Sequence, residues 1–305
     1  MAGICKGRVV IVTGAGNGLG RAYALKLAAE GAKVVVNDLG VGTHGENGLT
    51  QGAAEKVVDE IRAAGGEAVA NTDDVADWEA SENILRSALD HFGSLHAVVN
   101  NAGFVRDRMF VSCTAEEWDA VTRVHLRGHF CTSRRAVDYW RAQQKSGNPI
   151  EARIINTSSG AGLQGSVGQS AYSAAKAGIA TLTLVQAAEL ARYGITANAL
   201  APNARTRMTM TAFAETMASR EDAAFDPYAP ENTGPLVAWL ASPLSAGVTG
   251  QIFEPFGGSI RICEGWQDGP ASPLLERQLQ VEEIGEIVKS LVTQRNPAKP
   301  VYGTG

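Results

Sequence analysis

The sequence has few cysteines, no long apolar run and no excess of positive charge. Its four cysteines, Cys5, Cys113, Cys131 and Cys263, lie far apart and form no CxxC pair. This pattern predicts free thiols in a reducing compartment rather than a disulfide framework or a zinc site. No apolar stretch approaches the roughly 18 residues that a membrane-spanning helix needs. The first residues also lack the apolar stretch of a signal peptide. We therefore expect a cytoplasmic protein with no membrane partner.

The charge balance excludes a further class of partner. The chain has 27 Lys and Arg against 32 Asp and Glu, a net charge of −5. Without a basic surplus to neutralise a phosphate backbone, nucleic acid is a poor candidate partner. The hydrophobic fraction of 45% and charged fraction of 19% are typical of a globular chain, and not of a disordered or fibrous one.

Glycine is what the sequence has in excess, and it marks where apolar runs meet helical stretches. There are 34 glycines in 305 residues. The apolar runs predict strands at Arg8–Thr13, Lys33–Asp38, Glu67–Ala70, His96–Asn100, Arg153–Thr157 and Ile195–Leu200. Helices are expected at Leu19–Glu30, Glu55–Ala64, Trp78–Phe92 and Tyr172–Tyr193, with one or two more within Ala115–Trp140.

Strands that alternate with helices predict a specific architecture. They favour parallel pairing with right-handed crossovers, and hence an α/β fold with a doubly wound (Rossmann) parallel sheet flanked by helices. We expect one domain over residues 1–264. Residues 265–305 would form a C-terminal extension with one short helix near Val281–Leu291.

A glycine-rich turn follows the first predicted strand. In Thr13–Gly20, TGAGNGLG, the glycines allow backbone amides to approach a pyrophosphate, and the N-terminus of the next helix offers unpaired N–H groups. Taken alone, the turn could be only a tight connection between a strand and a helix. As a binding site it would use Gly14, Asn17, Gly18, Leu19 and Gly20.

Two acidic residues follow the next two strands. Asp38 ends the second strand, where its carboxylate could accept both hydroxyls of an adenosine ribose. Asp74, followed by Val75, comes after the third strand and could accept the adenine amino group. Either residue alone could be only a turn or helix cap, but their order and spacing predict dinucleotide binding. Asp38 would repel a 2′-phosphate, and neutral Asn17 and Leu39 supply no cation, so NAD is predicted over NADP.

A tyrosine and a lysine one helical turn apart predict acid–base chemistry. Tyr172 and Lys176 share one helix face. A tyrosine that acts as a base near neutral pH needs its pKa lowered by about 3 units, and a lysine charge and an oxidised nicotinamide both stabilise the phenolate. Ser159 lies 13 residues before Tyr172, just after the fifth strand, where it could hold a substrate oxygen. The YxxxK spacing alone also occurs by chance.

These motifs together resemble a known family. TGxxxGxG, Asp38, Asp74–Val75, NNAG at 100–103, Ser159 and YxxxK resemble the short-chain dehydrogenase/reductase family in order and spacing, over about residues 7–260. The resemblance implies that Tyr172 is the general acid/base, that Lys176 lowers its pKa and binds the nicotinamide ribose, and that Ser159 orients the substrate. Ser158 is the less favoured serine. Further implied cofactor contacts are Asn101, Ala102, Gly103, Thr206 and Tyr172 itself.

A narrower likeness concerns the substrate. VVVNDLG at 34–40, RDR at 106–108, RVHLRG at 123–128 and APNA at 201–204 are similar to the (3R)-hydroxyacyl-CoA dehydrogenase branch of the family. That branch includes the dehydrogenase part of peroxisomal multifunctional enzymes and stand-alone actinobacterial proteins of sterol and lipid breakdown. It implies oxidation of a (3R)-3-hydroxyacyl-CoA by a homodimer or homotetramer. Since 305 residues leave no room for the hydratase and lipid-carrier domains of the multifunctional enzymes, we expect dehydrogenase activity only.

Two other functions stay open. A 17β-hydroxysteroid or other secondary alcohol could be the substrate instead of an acyl-CoA. A protein of this fold could also bind NAD as a sensor or scaffold without catalysis, although the Ser–Tyr–Lys set is intact.

Several residues have ambiguous roles. His125 replaces a family asparagine of a proton relay; it could support the relay through its carbonyl or only pack against the sheet. With His129 it has a zinc-compatible i, i+4 spacing, but no third ligand is evident, so no metal is predicted. Gln164 is expected to face the substrate. Four arginines would rim the cleft and either bind coenzyme A phosphates or have no specific role: Arg106, Arg108, Arg205 and Arg207.

Overall fold

One eight-stranded sheet forms the centre of the molecule. The computed structural model describes residues 3–42, 44–46, 52–206, 209–210, 225–297 and 299–304. The strand order is β3-β2-β1-β4-β5-β6-β7-β8. The strands are β1 Val9–Thr13, β2 Lys33–Asn37, β3 Glu67–Asn71, β4 Ala97–Asn100, β5 Ala152–Thr157, β6 Ile195–Leu200, β7 Ile252–Phe256 and β8 Ser259–Ile262.

Helices connect the strands and cover both faces of the sheet. The strands from β1 to β7 pair in parallel, and only β8 is antiparallel to its neighbour. In the described part of the chain, the helices are α1 Gly18–Ala29, α2 Ala53–Ala63, α3 Ala80–Phe92, α4 Ala115–Thr122, α5 Gly128–Lys145, α6 Gly160–Gln164, α7 Ser170–Leu190, α8 Gly234–Ala241 and α9 Val281–Gln294. A π-helical stretch, Arg123–Arg127, joins α4 to α5.

The core has two layers because successive strand residues face opposite sides of the sheet. Val10 and Val12 of β1 pack with Tyr23 of α1 in one cluster. Ile11 packs on the other face, with Ile84 of α3 in a second cluster. Since β1 is buried on both faces, it reads as a continuous β-branched run rather than an alternating one.

The position of the site follows from the strand order. β1 has β2 on one side and β4 on the other, so the chain reverses its direction of travel across the sheet at this point. Loops after β1 and β4 therefore diverge and leave a crevice at the carboxyl edge of the sheet. The glycine turn and the loop that begins at Asn101 both lie there.

The predicted fold class is confirmed, with additions. The sequence did not predict α6, α8, β7 or β8, nor the antiparallel edge. All four residues of β8 are exposed, so the strand has no buried face that would produce a hydrophobic pattern. The predicted helical segment within 115–140 is present, but it is interrupted by the π-helical stretch.

The C-terminal segment contacts the domain through its last residues. Helix α9 has no buried residue. Beyond it, Tyr302 N donates to the Gly165 carbonyl at 3.2 Å, and Val167 N donates to the Tyr302 carbonyl at 2.9 Å. The segment thus pairs with the loop between α6 and α7. Within the ranges that the structure describes, no helix combines the length and apolarity needed to cross a bilayer.

Candidate active site

The turn after β1 brings backbone close to backbone. A Cβ on Gly14, which has φ +61°, would lie 2.7 Å from the Ala102 Cα. A Cβ on Gly20 would lie 2.0 Å from the Gly14 carbonyl oxygen. Glycine is therefore required at both positions for α1 to begin directly against the turn. Asn17, at the start of α1, makes no side-chain capping bond, which leaves the amide groups of the first turn for a ligand.

Asp38 is fixed at the end of β2 by two backbone amides. Its Oδ2 accepts from Gly16 N and its Oδ1 accepts from Gly40 N, both at 2.8 Å. Each carboxylate oxygen retains a further lone pair. The side chain is thus held in place, with acceptors left for the two hydroxyls of a ribose.

A cavity of about 380 Å³ opens beside this turn. Among the predicted cofactor residues, only Gly20, Tyr172 and Lys176 are not in its lining. The predicted residues that line it are Gly14, Asn17, Gly18, Leu19, Asp38, Asp74, Val75, Asn101, Ala102, Gly103 and Thr206. Residues from five separate loops therefore converge on one space.

Asp74 has a partner that the sequence did not indicate. Arg123, at the start of the π-helical stretch, donates to Asp74 Oδ2 at 2.7 Å, while Ala76 N donates to Oδ1 at 2.8 Å. Both carboxylate oxygens already bind protein donors. The predicted contact with an adenine amino group would have to use their remaining lone pairs, and it stays a prediction.

Asn101 joins the two sides of the crevice. Its Nδ2 donates to the carbonyls of Thr13 and Gly14, both at 3.1 Å. In return, Thr13 Oγ1 accepts from Asn101 N at 2.9 Å and from Ala102 N at 3.1 Å. Its amide group therefore acts within the protein, where it holds the cofactor loops together.

Tyr172 lies near the start of α7 and is partly buried. Burial raises the pKa of Tyr172, a hydrogen bond with the Ser159 side chain lowers it, and the charge of Asp107 raises it. Ser159 also caps α6 by accepting from Ala161 N at 3.2 Å. Ser158, by contrast, donates to the Lys176 carbonyl at 2.7 Å. The structure therefore brings Ser159, and not Ser158, to the tyrosine.

Lys176 is 3% exposed and lies beside the tyrosine ring. Its Nζ is 5.5 Å from the Tyr172 ring centroid and donates to the Thr157 carbonyl at 2.7 Å. Burial lowers the pKa of Lys176 to about 7. The sequence predicted a lowered pKa for Tyr172. The protein groups alone instead raise the pKa of Tyr172 above its ordinary value.

Two buried histidines each contact a backbone group of another segment. His125 lies 1% exposed in the π-helical stretch, with Nε2 2.7 Å from the Phe104 carbonyl. His129, one turn later, accepts from Thr157 N at 3.3 Å through Nε2. These hydrogen bonds could not be predicted from the sequence, because neither partner is close to its histidine in the chain.

The predicted substrate residues are placed unevenly. The Gln164 amide donates to the Pro300 carbonyl at 3.1 Å, so it binds the C-terminal segment, and its role in substrate binding stays a prediction. Tyr302, which no sequence pattern indicated, lies against the same loop.

The four arginines also differ. Arg106 lines the cavity. Arg108 pairs with Glu117 at 3.1 Å, and Arg205 pairs with Asp226 at 2.6 Å. Arg207 lies outside the described residues.

Known proteins are similar to this chain in sequence and in fold. A sequence profile of the short chain dehydrogenase family matches residues 8–217. The chain is 47% identical over 282 residues to the hydroxyacyl-CoA dehydrogenase ChsB1 of Mycobacterium tuberculosis, covering 90% of this chain and 83% of that protein. It is 45% identical over 260 residues to the peroxisomal multifunctional enzyme type 2 of Mus musculus, covering 85% of this chain but 32% of that enzyme. A crystal structure of a short chain dehydrogenase from Mycobacterium avium matches with a TM-score of 0.89 and 55% identity, over 99% of this chain and 100% of the other.

Proposed function

The chain belongs to the short chain dehydrogenase family, whose members are oxidoreductases acting on CH–OH groups, and we propose that it oxidises (3R)-3-hydroxyacyl-CoA thioesters with NAD. The observation that carries the proposal is the convergence of Ser159, Tyr172 and Lys176 beside the crevice that Asp38 borders. The thioester is supported by the similarity to the hydroxyacyl-CoA dehydrogenase and to the multifunctional enzyme. The chain aligns with only 32% of the multifunctional enzyme, and the proposal covers no activity of the rest of that enzyme.

The preference for NAD is supported by charge. The family uses NAD or NADP, and the 2′-phosphate of NADP would add negative charge near the Asp38 carboxylate. Leu39, the next residue, is 49% exposed and carries no charge to offset it. Arg123 lines the same cavity, but its guanidinium pairs with Asp74.

The side chains divide the work of alcohol oxidation. When bound, NAD accepts the hydride of the carbinol carbon and brings a positive charge to the site. Tyr172 accepts the hydroxyl proton, and Ser159 holds the substrate oxygen during this transfer. Lys176, already buried with its charge beside the tyrosine ring, stabilises the phenolate together with the cofactor charge. Since the Tyr172 pKa is raised in the protein alone, we expect a competent base only when the cofactor is bound.

The experiment is a steady-state measurement of absorbance at 340 nm. It compares a short-chain (3R)-3-hydroxyacyl-CoA, its 3S epimer and a 17β-hydroxysteroid, each with NAD and with NADP, and uses Tyr172→Phe as the control. Turnover of the 3R thioester with NAD, lost in the variant, is the expected result. Turnover of the steroid alone would contradict the thioester and keep the chemistry. Tight NAD binding without any turnover would instead support a non-catalytic sensor.

We also propose a cytoplasmic homodimer or homotetramer. Helices α4, α5 and α7 carry exposed apolar side chains: Trp118 at 38%, Phe130 at 45%, Leu184 at 43% and Val185 at 45%. A surface of this kind is typical of subunit contacts. Light scattering on the purified protein measures the mass, and a monomer at micromolar concentration would contradict the proposal.

A further inference from the structure

His125 leaves one ring nitrogen without a partner inside the protein. Its Nε2 is 2.7 Å from the Phe104 carbonyl, and because a carbonyl only accepts, Nε2 carries the hydrogen. Nδ1 is then a bare acceptor. It is buried and has no hydrogen-bond partner among the described residues. An apolar ring would fill the same volume without leaving a buried polar atom open.

The imidazole packs against two parts of the site. Its ring centroid is 5.2 Å from that of Tyr172, with the rings at 88°. On another side it packs against Gly103, where an added Cβ would be 2.0 Å from Cε1 and 2.5 Å from Nδ1. Gly103 lines the cofactor cavity. His125 therefore touches both the cofactor loop and the tyrosine.

The surroundings keep this imidazole neutral. Burial lowers the pKa of His125 to about 3, and the charge of Lys176 acts in the same direction. The other charged or titratable groups around the Tyr172 hydroxyl are Lys176 on α7 and Asp107 on the loop after β4. At neutral pH, Nδ1 thus stays an acceptor.

We propose that His125 is a positioning residue for Tyr172, which anchors the Phe104 loop through Nε2 and holds a water molecule on Nδ1 beside the phenol. Such a water donates one hydrogen to Nδ1 and the other to the Tyr172 oxygen, so it favours the phenolate. The role in turnover rests on the proposed function, but the effect on the tyrosine does not require a substrate.

The test is the ultraviolet difference titration of Tyr172 in the NAD complex, each protein being compared with its own Tyr172→Phe counterpart. His125→Phe keeps an aromatic ring but removes both nitrogens, and we expect it to raise the Tyr172 pKa by about one unit, a tenfold loss of phenolate. Its kcat at neutral pH should fall about tenfold for the same reason. The titration remains informative even if none of the proposed substrates turns over.

Two conservative variants separate the two nitrogens. In His125→Asn the amide oxygen can replace the Nδ1 acceptor, whereas in His125→Gln the amide nitrogen can replace the Nε2 donor. The proposal expects the titration of the asparagine variant to lie closer to the wild type. If only His125→Gln restores the wild-type titration of Tyr172, the proposed water on Nδ1 is wrong and His125 acts only by anchoring the Phe104 loop.

A matched control comes from another histidine of the fold. His96 accepts from Val9 N at 3.0 Å through Nδ1, and burial lowers its pKa to about 4, at the edge of the sheet opposite the site. His96→Phe should reduce thermal stability without moving the Tyr172 titration. If His125→Phe also changes only stability, His125 is a packing residue and the proposal fails. It fails likewise if His125→Asn and His125→Gln are soluble and both leave the Tyr172 titration as in the wild type.

Discussion

The cofactor crevice and the catalytic side of the molecule are built in different ways. The crevice consists of turns and strand ends, and its hydrogen bonds run mostly to backbone groups, as at Asp38 and Asn101. The catalytic side depends on side chains brought from distant segments, with the Tyr172 ring close to both His125 and Lys176. The first arrangement is set by local backbone geometry, and the second by long-range packing. Changes in one should therefore leave the other largely intact, except at His125, which contacts both Gly103 and Tyr172.

The substitution with the largest expected effect should change catalysis without changing cofactor binding. Tyr172→Phe removes the general base, and we expect kcat to fall about 10³-fold. Affinity for NAD should change by less than about threefold, because Asp38 and the glycine turn are untouched. Stopped-flow turnover and NAD titration by fluorescence measure the two quantities. A large loss of NAD affinity would show that the regions are coupled.

Asp38→Asn makes the complementary change on the cofactor side. Loss of the charged acceptor should raise the KM for NAD about tenfold to a hundredfold, since hydrogen bonds to charged groups contribute about 1.5–3 kcal/mol. The ratio of NADP to NAD efficiency should rise, with kcat for NAD nearly unchanged. Asp59→Asn, on the exposed face of α2, controls for the change in net charge. An unaltered cofactor preference would contradict the role of Asp38.

Acid should destabilise the fold, mostly from the catalytic side. The pKa falls to about 3 for His125 and about 4 for His96, and lies well below its usual value for His129, mainly through burial. Below pH 6.5 the unfolded chain binds protons that the folded one does not, so stability falls as pH drops from 6.5 towards 4. Each histidine lowers the free energy of unfolding by about 1.4 kcal/mol per pH unit as the pH falls from 6.5 towards its pKa in the folded protein.

Urea unfolding at pH 7.5, 6.0 and 5.0 measures this dependence. His125→Asn should flatten the slope by about one proton, because the substituted side chain no longer titrates. An unchanged slope would show that His125 is not neutral in the folded protein.

The smallest effect concerns the C-terminal segment. A Cβ on Gly160 would lie 2.6 Å from the Tyr302 hydroxyl oxygen. Gly160→Ala should therefore displace the segment and raise the KM for the alcohol about threefold, without changing the KM for NAD. In a double variant that also carries Tyr302→Ala, Gly160→Ala should no longer raise the KM for the alcohol. Such non-additivity is expected of residues in contact. Gly258→Ala, where no atom lies within 4 Å, is the matched control.

The same division explains how much the sequence predicted. The strand and helix periodicity predicted the fold class, and the order and spacing of Gly14, Asp38 and Asp74 predicted residues that line one cavity. The bond from Gln164 to Pro300 and the ion pair of Asp74 with Arg123 could not be predicted, because their partners are far apart in the chain. The π-helical stretch was also hidden, since residues 115–145 have the ordinary composition of a helix.

The close fit of Gly103 against His125 restricts the order in which the two positions can be altered. With the imidazole in place, any side chain at 103 begins within 2.0 Å of it, so a change at 103 must push the ring away from the Phe104 carbonyl. A smaller residue at 125 creates only a gap, which a side chain at 103 can then fill. In directed evolution of this pocket, we therefore expect position 125 to change before position 103. Active variants from a library that randomises Gly103 alone should mostly retain glycine.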